Sequence, residues 1–284
     1  MVVGLLAGCA SSGTGAHRGP ATSVAPPSSV SETVASSTTS TTSTAPAATG
    51  PLRVFVVGDS LAYLLGASLE ARAAEKRWIV RDGGVLGCGI LPERSVRYGV
   101  VTALAAGCTN WAERWAVDLD AFHPDVVVVM NGFWDAYDWY LDGHVVPFRS
   151  AQWDAFASAR FGAAMDLLSS RGARILWVLG PYYRPTVKDA AVARYYDEVG
   201  AYRSALDDDR VRRLNDLYQE LAASRRCSVF TPDSRLCLCP GDTYADNVEG
   251  VTIRNDGVHF TGAGADRLAS FLTPFLTLGF SGFC

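Results

Sequence analysis

Five short runs of apolar, mostly β-branched residues alternate with longer segments of helical periodicity, and this alternation restricts the fold more than any other feature of the sequence. The predicted strands are Arg53–Val57, Trp78–Arg81, Asp125–Met130, Arg174–Leu179 and Cys227–Phe230. The predicted helices are Leu61–Lys76, Asn110–Phe122, Ala151–Arg171, Ala193–Arg225 (interrupted near Asp207) and Thr261–Leu276. Strands that alternate with helices pair in parallel and carry helices on both faces. We therefore predict one α/β domain over residues 51–284.

The segments that follow the strands are predicted to share one edge of this sheet, because ligands of parallel sheets bind at the carboxyl ends of the strands. Segments 58–60, 83–89, 131–138 and 180–185 follow the first four strands. The stretch before the last helix, Asn255–Phe260, is expected to reach the same edge. The search for a functional site is thereby limited to five short stretches.

The first 50 residues differ in composition from the rest of the chain. Residues 1–9 are apolar and end in Leu-Ala-Gly-Cys, which resembles a bacterial lipobox. No Lys or Arg precedes the apolar run, so we interpret it as a truncated lipoprotein-type signal, with a frayed apolar terminus as the alternative. Residues 10–50 are rich in Ser, Thr, Ala, Pro and Gly, which predicts a disordered tether. We expect an exported protein, lipid-anchored at Cys9 to the cell membrane or envelope.

The net charge and the residue composition limit which molecules the protein is expected to bind. The formal net charge is −4, with 29 acidic and 25 basic residues. Because no basic excess is available to neutralise phosphates, nucleic acid is not an expected partner. Imidazole chemistry has only four candidates, His17, His123, His144 and His259. We expect no cofactor, no bound metal and a monomer.

Six cysteines remain once Cys9 is set aside, and an even number in an exported chain favours disulfides. They are Cys88, Cys108, Cys227, Cys237, Cys239 and Cys284. Cys88 with Cys108 is the best single pairing because both flank one long loop, and the other pairings stay open. No histidine lies near Cys237 and Cys239, so this pair is not interpreted as a metal site.

The turn Gly58-Asp59-Ser60 ends the first predicted strand and begins the first helix. A serine at this place exposes its hydroxyl, and its backbone N–H can donate to an oxyanion. A helix N-cap serine is the competing interpretation. Asp59 is expected to make a structural hydrogen bond.

Near the other end of the chain, Asp256 lies three residues before His259 across a tight turn. Its carboxylate can accept the ring N–H and leave the other ring nitrogen free to take a proton from a serine. A surface turn that caps the last helix is the alternative.

The stretches GDSL at Gly58–Leu61 and DGVH at Asp256–His259 resemble the GDSL, or SGNH, hydrolase family in order and spacing over nearly all of residues 52–278. The resemblance implies a flavodoxin-like three-layer α/β/α sandwich with a five-stranded parallel sheet. It also implies a catalytic triad with Ser60 as nucleophile, His259 as general base and Asp256 as the acid that orients the ring.

The same resemblance implies two oxyanion donors besides the Ser60 N–H. The first is the backbone N–H of a glycine after the second strand, which matches Gly87, with Gly89 as a substitute. The second is an asparagine in a G-x-N-D pattern, but Trp134 occupies that position here. The donor is lost, replaced by the Trp134 indole N–H, or supplied by Asn131 from a shifted loop. Loss of such a donor costs ~3 kcal/mol of transition-state stabilisation and argues against fast general esterase activity.

Further segments, among them GCGIL at 87–91 and PYYRP at 181–185, resemble the SGNH domains fused to bacterial membrane acyltransferases, which act on cell-envelope glycans. Aromatic residues crowd the predicted rim loop 131–144, and flat ring faces can stack on sugars or hold acyl chains. We predict substrate contacts from Trp134, Asp135, Tyr137 and Tyr182. Ordinary packing of a long loop is the alternative.

These features predict an exported serine esterase that cleaves or transfers acyl groups, on cell-envelope glycans or lipids, through an acyl-enzyme. Its substrate is then a small-molecule or glycan ester. The competing hypothesis is a catalytically weak glycan-binding lipoprotein on the same scaffold. The substituted oxyanion position and the aromatic rim motivate that hypothesis.

Overall fold

The computed structural model describes residues 50–97, 100–104, 107–184 and 207–277, without the side chains of Arg97 and Phe133. The predicted signal over residues 1–9, the tether up to residue 49, Cys284 and the predicted helix before residue 207 lie outside the described residues. Among the described helices, none is both long enough and apolar enough to cross a membrane.

The described residues form short strands and helices in regular alternation. In chain order these are β1 (Leu52–Gly58), α1 (Ser60–Ala71), α2 (Ala73–Lys76), β2 (Trp78–Gly84), β3 (Arg94–Arg97), β4 (Val100–Thr102), α3 (Trp111–Phe122), β5 (Val126–Met130), a 3-10 helix (Phe133–Ala136), β6 (Asp138–Leu141), β7 (His144–Val146), α4 (Ala151–Ser169), β8 (Arg174–Val178), α5 (Asp208–Ala223), β9 (Val229–Phe230), α6 (Arg235–Leu238), a 3-10 turn (Pro240–Asp242), β10 (Asn247–Val248), β11 (Val251–Thr252) and α7 (Gly262–Thr277).

A five-stranded sheet of order β2-β1-β5-β8-β9 forms the centre of the domain, and all of its strands run parallel. All five predicted strands are therefore confirmed. This order is that of flavodoxin-like folds, in which ligands bind where the chain changes direction across the first strand. Here that place lies between the carboxyl ends of β1 and β5.

Successive residues of the central strands face opposite sides of the sheet, so the domain has two hydrophobic cores. Val54 and Val56 of β1 pack with α1 and α7. Phe55 and Val57 pack with α3, α4 and α5 on the other side. Strands that are apolar on both faces are stable only when helices cover both faces. The predicted three-layer α/β/α sandwich is confirmed.

The helices agree with the predicted ones apart from their ends and one break. The predicted helix Leu61–Lys76 is divided at Arg72 into α1 and α2. Helix α5 begins at Asp208, where the predicted interruption lies, and its N-cap Asp207 accepts the Asp209 N–H.

A second sheet of order β4-β3-β6-β7 was not predicted. Its strands are antiparallel, and Trp139 pairs with Ser95 on one side and Val146 on the other. The stretch predicted as an aromatic rim loop thus forms a 3-10 helix and two strands. These strands are three or four residues long and partly charged, so neither their length nor their alternation marks them in the sequence.

The Cys88–Cys108 disulfide is confirmed, and Cys227 is also disulfide-bonded. The expectation that every remaining cysteine is paired is wrong for Cys237 and Cys239, which are free thiols. Both lie at the end of the short helix α6. Side chains two positions apart on a helix do not face each other, which keeps the two sulfur atoms from pairing.

Candidate active site

Ser60 is the first residue of α1, at the carboxyl end of β1. Asp59, rather than Ser60, caps the helix, because the Asp59 carboxylate accepts the Leu61 N–H at 2.8 Å. The N-cap interpretation of Ser60 is therefore wrong, and its hydroxyl is left for another partner. Ser60 Oγ lies 3.0 Å from His259 Nε2, although 199 residues separate the two in sequence.

The turn before α7 fixes the orientation of the His259 ring. His259 Nδ1 lies 2.7 Å from Asp256 Oδ2, while Asp256 Oδ1 accepts the N–H groups of Val258 and His259 at 2.9 and 2.7 Å. An ionised carboxylate only accepts hydrogen bonds, so the ring proton lies on Nδ1 and Nε2 faces the serine hydroxyl. Partial burial opposes ionisation of Asp256, but these hydrogen bonds outweigh it and hold its pKa below the usual value.

Two contacts hold this turn from either side. The Arg184 N–H donates to the Gly257 carbonyl at 2.9 Å, and Arg254 forms an antiparallel bridge with Phe260. Arg254 is 1% exposed. Its guanidinium donates to the Ala245 carbonyl at 3.0 Å.

The Arg254 guanidinium also lies over two aromatic rings, at 5.3 Å from Tyr244 and 5.9 Å from Phe260. Among the described residues no carboxylate forms an ion pair with it. Sequence reasoning missed this residue, because its burial depends on the hairpin β10–β11 and on Tyr244.

The side chains of His259 and Asp256 are 48% and 36% exposed, whereas Ser60 is buried. Solvent therefore reaches the site mainly at His259 and Asp256. The described residues contain no cluster of three or more His, Cys, Asp or Glu suited to holding a metal ion.

Gly87 lies in a turn at the predicted edge, directly after β2. The turn is joined to the end of β1, because the Val85 N–H donates to the Gly58 carbonyl at 2.8 Å. The Cys88–Cys108 disulfide fixes its other end. Gly89 is buried beside the Asp135 carboxylate, which favours Gly87 of the two glycines. The role of Gly87 as an oxyanion donor stays a prediction.

The expectation that Asn131 supplies the side-chain donor is wrong. Asn131 is 4% exposed, and both polar atoms of its amide are buried without a hydrogen-bond partner. They line an enclosed cavity of about 10 Å³ together with Gly180, Asn215 and Tyr218. Because the amide is enclosed between the sheet and α5, it cannot reach a substrate at Ser60. Trp134 is half-buried, and its role as a donor or a substrate contact stays a prediction.

Three of the four predicted substrate contacts are wrong, because the side chains are buried and two of them already form hydrogen bonds. Asp135 is fully buried and accepts the N–H groups of Ile90 and Leu91. Tyr137 is 1% exposed. Tyr182 is buried, and its hydroxyl donates to Asp242 at 2.7 Å. The segment around Asp135 and Tyr137 leads into the second sheet instead of forming an open loop, which removes these side chains from solvent.

The structural hydrogen bond expected of Asp59 is confirmed, and a second one joins it. Asp59 Oδ2 accepts the Gly132 N–H at 2.7 Å, so this carboxylate connects the start of α1 to the segment after β5. Burial raises the pKa of Asp59 to about 7, against the effect of its two backbone hydrogen bonds.

This chain is similar to several solved structures. The periplasmic domain of a lipopolysaccharide acetyltransferase from Salmonella ser. Paratyphi A is 15% identical with a TM-score of 0.50, over 79% of this chain and 83% of that one. An acetyl xylan esterase is 16% identical with a TM-score of 0.49, over 78% and 98%. A GDSL-like lipase from Bacteroides thetaiotaomicron VPI-5482 is 12% identical with a TM-score of 0.49, over 79% and 87%. At 15% identity, the likeness to the acetyltransferase domain shows a shared fold alone.

No curated protein matches the sequence. The family model described as "SGNH domain (fused to AT3 domains)" matches residues 31–274, which is most of the chain. The parallel sheet and the GDSL stretch at its edge agree with this match. The chain therefore belongs to that SGNH domain family.

Proposed function

We propose that this protein is a serine hydrolase or acyltransferase that acts on carboxylic esters, with Ser60 as nucleophile, His259 as general base and Asp256 as its orienting acid. The observation that carries the proposal is the continuous contact from Ser60 Oγ to His259 Nε2 at 3.0 Å, and from His259 Nδ1 to Asp256 at 2.7 Å. Hydrogen-bond reach between nucleophile, base and orienting group is the geometry of an activated serine.

In the proposed first step, Ser60 Oγ attacks the acyl carbonyl carbon while its proton moves to His259 Nε2. The backbone N–H groups of Ser60 and Gly87 donate to the resulting oxyanion. The carbon–oxygen bond to the alcohol then breaks, His259 gives its proton to the leaving alkoxide, and an acyl-enzyme remains. Water or a sugar hydroxyl next attacks this ester and loses its proton to His259. The bond to Ser60 Oγ then breaks, His259 returns the proton to Oγ, and either the acid or a new ester is released.

Short acyl esters of cell-envelope glycans or lipids are the proposed substrates, and an extracytoplasmic, lipid-anchored location is part of the proposal. The lipobox-like stretch ending at Cys9 and the tether up to residue 50 support the location. The fold shared with a periplasmic acetyltransferase domain supports the substrate class. The open histidine side of the site, where His259 is exposed, leaves room for a bulky alcohol portion.

The test is labelling by a fluorophosphonate probe together with turnover of p-nitrophenyl esters of increasing acyl length. The wild type is expected to be labelled and to turn over short esters, and Ser60→Ala is expected to lose both. Ser68→Ala is the matched control, because Ser68 lies in the same helix, is equally buried and bonds the Asp266 carboxylate instead of a histidine. Labelling that survives in Ser60→Ala would remove Ser60 from its role.

A glycan-binding protein on the same scaffold is the second candidate, and the enclosed Asn131 amide favours it, because the site then has one donor fewer. That candidate predicts a wild type with neither labelling nor turnover but with saturable binding of envelope glycans. Turnover by the wild type that depends on Ser60 excludes it.

A further inference from the structure

Two carboxyl groups are completely enclosed at the edge of the sheet beside Ser60. Asp59 is 1% exposed and Asp135 is 0% exposed. Among the described residues neither forms an ion pair with Lys, Arg or His. An enclosed carboxylate without a cation is unfavourable unless hydrogen bonds compensate it. The hydrogen-bond donors to Asp59 and Asp135 therefore indicate the role of the two carboxylates.

All the donors are backbone N–H groups of neighbouring segments. Asp59 accepts from Leu61 at 2.8 Å through one oxygen and from Gly132 at 2.7 Å through the other. Asp135 accepts from Ile90 and from Leu91, each at 2.9 Å. Asp59 therefore connects the serine turn to the segment after β5. Asp135 connects that segment in turn to the segment after β2.

The backbone around both carboxylates leaves no room for other side chains. A Cβ atom at Gly132 would lie 2.7 Å from Asp59 Oδ2, and one at Gly89 would lie 2.3 Å from Asp135 Oδ1. Both distances are shorter than any ordinary carbon–oxygen contact. The segments after β1, β2 and β5 are thus packed directly against the carboxylate oxygens. A helix cap alone would require only one contact between a carboxylate and a backbone N–H.

We propose that ionised Asp59 and Asp135 are positioning residues that set the spacing between the two backbone oxyanion donors, the N–H groups of Ser60 and Gly87. This inference rests on the proposed function. Asp59 holds the turn that carries Ser60, and Asp135 holds Ile90 and Leu91, which lie three and four residues after Gly87. The segment 131–136 joins the two, so the relative position of the donors depends on both carboxylates.

The positioning requires the ionised state. A protonated carboxyl group carries an O–H that needs an acceptor, whereas both oxygens of Asp59 face N–H donors. Protonation of Asp59 therefore breaks one backbone contact, and protonation of Asp135 at Oδ2 breaks its second contact with the Ile90 N–H, at 3.1 Å. Either change loosens a segment. Burial raises the pKa of Asp59 to about 7 and that of Asp135 to about 6. The titratable groups that act on this pair electrostatically are each other, His259, Tyr183 and Tyr218.

Stability and activity then respond to pH in opposite directions. Because the folded protein holds these two protons more tightly than the unfolded chain, the contribution of the pair to stability falls as pH rises from about 4 to 7. The two carboxylates ionise in the upper part of this pH range, so the oxyanion donors are correctly positioned only there. A purely structural pair of side chains would still change stability with pH, but replacing either of them would leave the steepness of the kcat profile unchanged.

The experiment compares wild type with Asp59→Asn and Asp135→Asn. Asp82→Asn is the matched control, because Asp82 also has a pKa raised by burial and accepts a backbone N–H, from Gly84 at 2.8 Å. At pH 8 we expect kcat for a p-nitrophenyl ester to fall about 10- to 100-fold in each of the first two variants, at unchanged KM. Asp82→Asn is expected to keep the wild-type kcat.

The pH profile is the decisive readout. Below pH 7, the logarithm of the wild-type kcat is expected to fall with a slope greater than 1, because more than one group must lose a proton. In each of the two variants that slope is expected to be smaller by one. The Tm of wild type, measured relative to Asp59→Asn, is expected to drop by at least about 3 °C between pH 4 and pH 7.5. Equal slopes in wild type and variants, or a Tm difference that does not change with pH, would overturn the proposal.

The two proposals fail in different ways. A wild type without turnover or labelling contradicts the proposed function, while the Tm comparison and the amide NMR shifts of Gly132 and Ile90 still report on the carboxylates. Those shifts are expected to titrate between pH 6 and 7 in wild type, because burial raises the pKa of Asp59 to about 7 and that of Asp135 to about 6. An active wild type whose Gly132 and Ile90 shifts do not titrate contradicts only the positioning role.

Discussion

The candidate site has a serine half, the turn that carries Ser60, and a histidine half, the turn that carries Asp256 and His259. Buried carboxylates support the first, and a buried guanidinium supports the second. The serine half is buried at the edge of the main sheet and is held by the enclosed carboxylates of Asp59 and Asp135. The histidine half is a solvent-facing turn next to one enclosed cation, Arg254. The serine half therefore depends on contacts among three segments far apart in sequence. The histidine half depends on local hydrogen bonds, on the bond from the Arg184 N–H to the Gly257 carbonyl and on one stacked guanidinium, that of Arg254.

This difference indicates that the two halves respond to different perturbations. Changes to the serine half alter the packing of the whole sheet edge, because Asp59 and Asp135 join segments after β1, β2 and β5. Changes to the histidine half can loosen one turn while the cores on both faces of the sheet stay intact. The following predictions test that contrast.

The largest effect is expected from the groups that react. Ser60→Ala and His259→Ala are each expected to lower kcat by about 10⁴-fold or more, and the double variant by no more than either alone. Asp256→Asn is expected to lower kcat by about 10⁴-fold, because the ring then loses the partner that fixes its proton on Nδ1. Additive losses in the double variant, measured with p-nitrophenyl esters, would show that the two halves do not act as one unit.

The next largest effect concerns the loop that carries Gly87. Replacing both Cys88 and Cys108 by Ser is expected to lower the free energy of unfolding by about 3 kcal/mol, since the disulfide closes a 20-residue separation. Cys237→Ser is the control, because Cys237 is a half-buried free thiol. Urea unfolding measures the difference. Hydrogen exchange is expected to rise around Gly87 and to stay unchanged around His259, and an equal rise at both places would contradict the separation of the two halves.

An intermediate effect is expected at the enclosed cation. Arg254→Lys is expected to lower the free energy of unfolding by about 1–3 kcal/mol more than Arg254→Met, because Lys keeps the charge but loses the planar stacking on Tyr244 and Phe260. Met removes the charge at similar volume, which is often neutral. Both variants are expected to lower kcat because the turn is less well held. Equal stability of the two variants would mean that the charge of Arg254 is not what matters.

The smallest effect is the contribution of the Asp256–His259 contact to stability. The pKa of Asp256 is lowered in the folded protein, so its contribution is present above the usual value of 3.8 and is lost as pH falls through the lower folded value. Because both side chains are more than a third exposed, screening keeps this contribution under ~1 kcal/mol. Asp256→Asn is therefore expected to leave the Tm at pH 7 nearly unchanged. A large drop would show that the turn supports the fold as well as the chemistry.

Much of the fold and part of the site could be predicted because the signals are local. The five parallel strands are continuous apolar runs, and the turn at Ser60 and the Asp256–His259 spacing each lie within four residues. The Cys88–Cys108 disulfide closes one loop, so its partners are near in sequence. Such patterns reflect backbone periodicity and short-range geometry, which a sequence displays directly.

The second sheet and the side chains it encloses could not be predicted in the same way. Tyr137 and Asp135 look like rim residues in the sequence, yet the pairing of β3 with β6 buries the segment that contains them. Asn131 lies in the expected segment, but its amide is enclosed beside α5. Each outcome depends on which distant segment packs against the residue, and no local pattern contains that information.

The sequence by itself determined the parallel sheet, the edge at which a site can form and the identity of the serine, histidine and acid that meet there. Periodic burial determines the sheet and its edge, since both depend on neighbours within a few residues. The serine, histidine and acid are identified by the resemblance of the two short motifs GDSL and DGVH to a known family. Only the tertiary structure decided which polar groups at that edge face solvent and which are enclosed. It enclosed Asp59, Asp135 and Arg254 without ion-pair partners among the described residues, because desolvation depends on everything packed around a group and not on its neighbours in the chain.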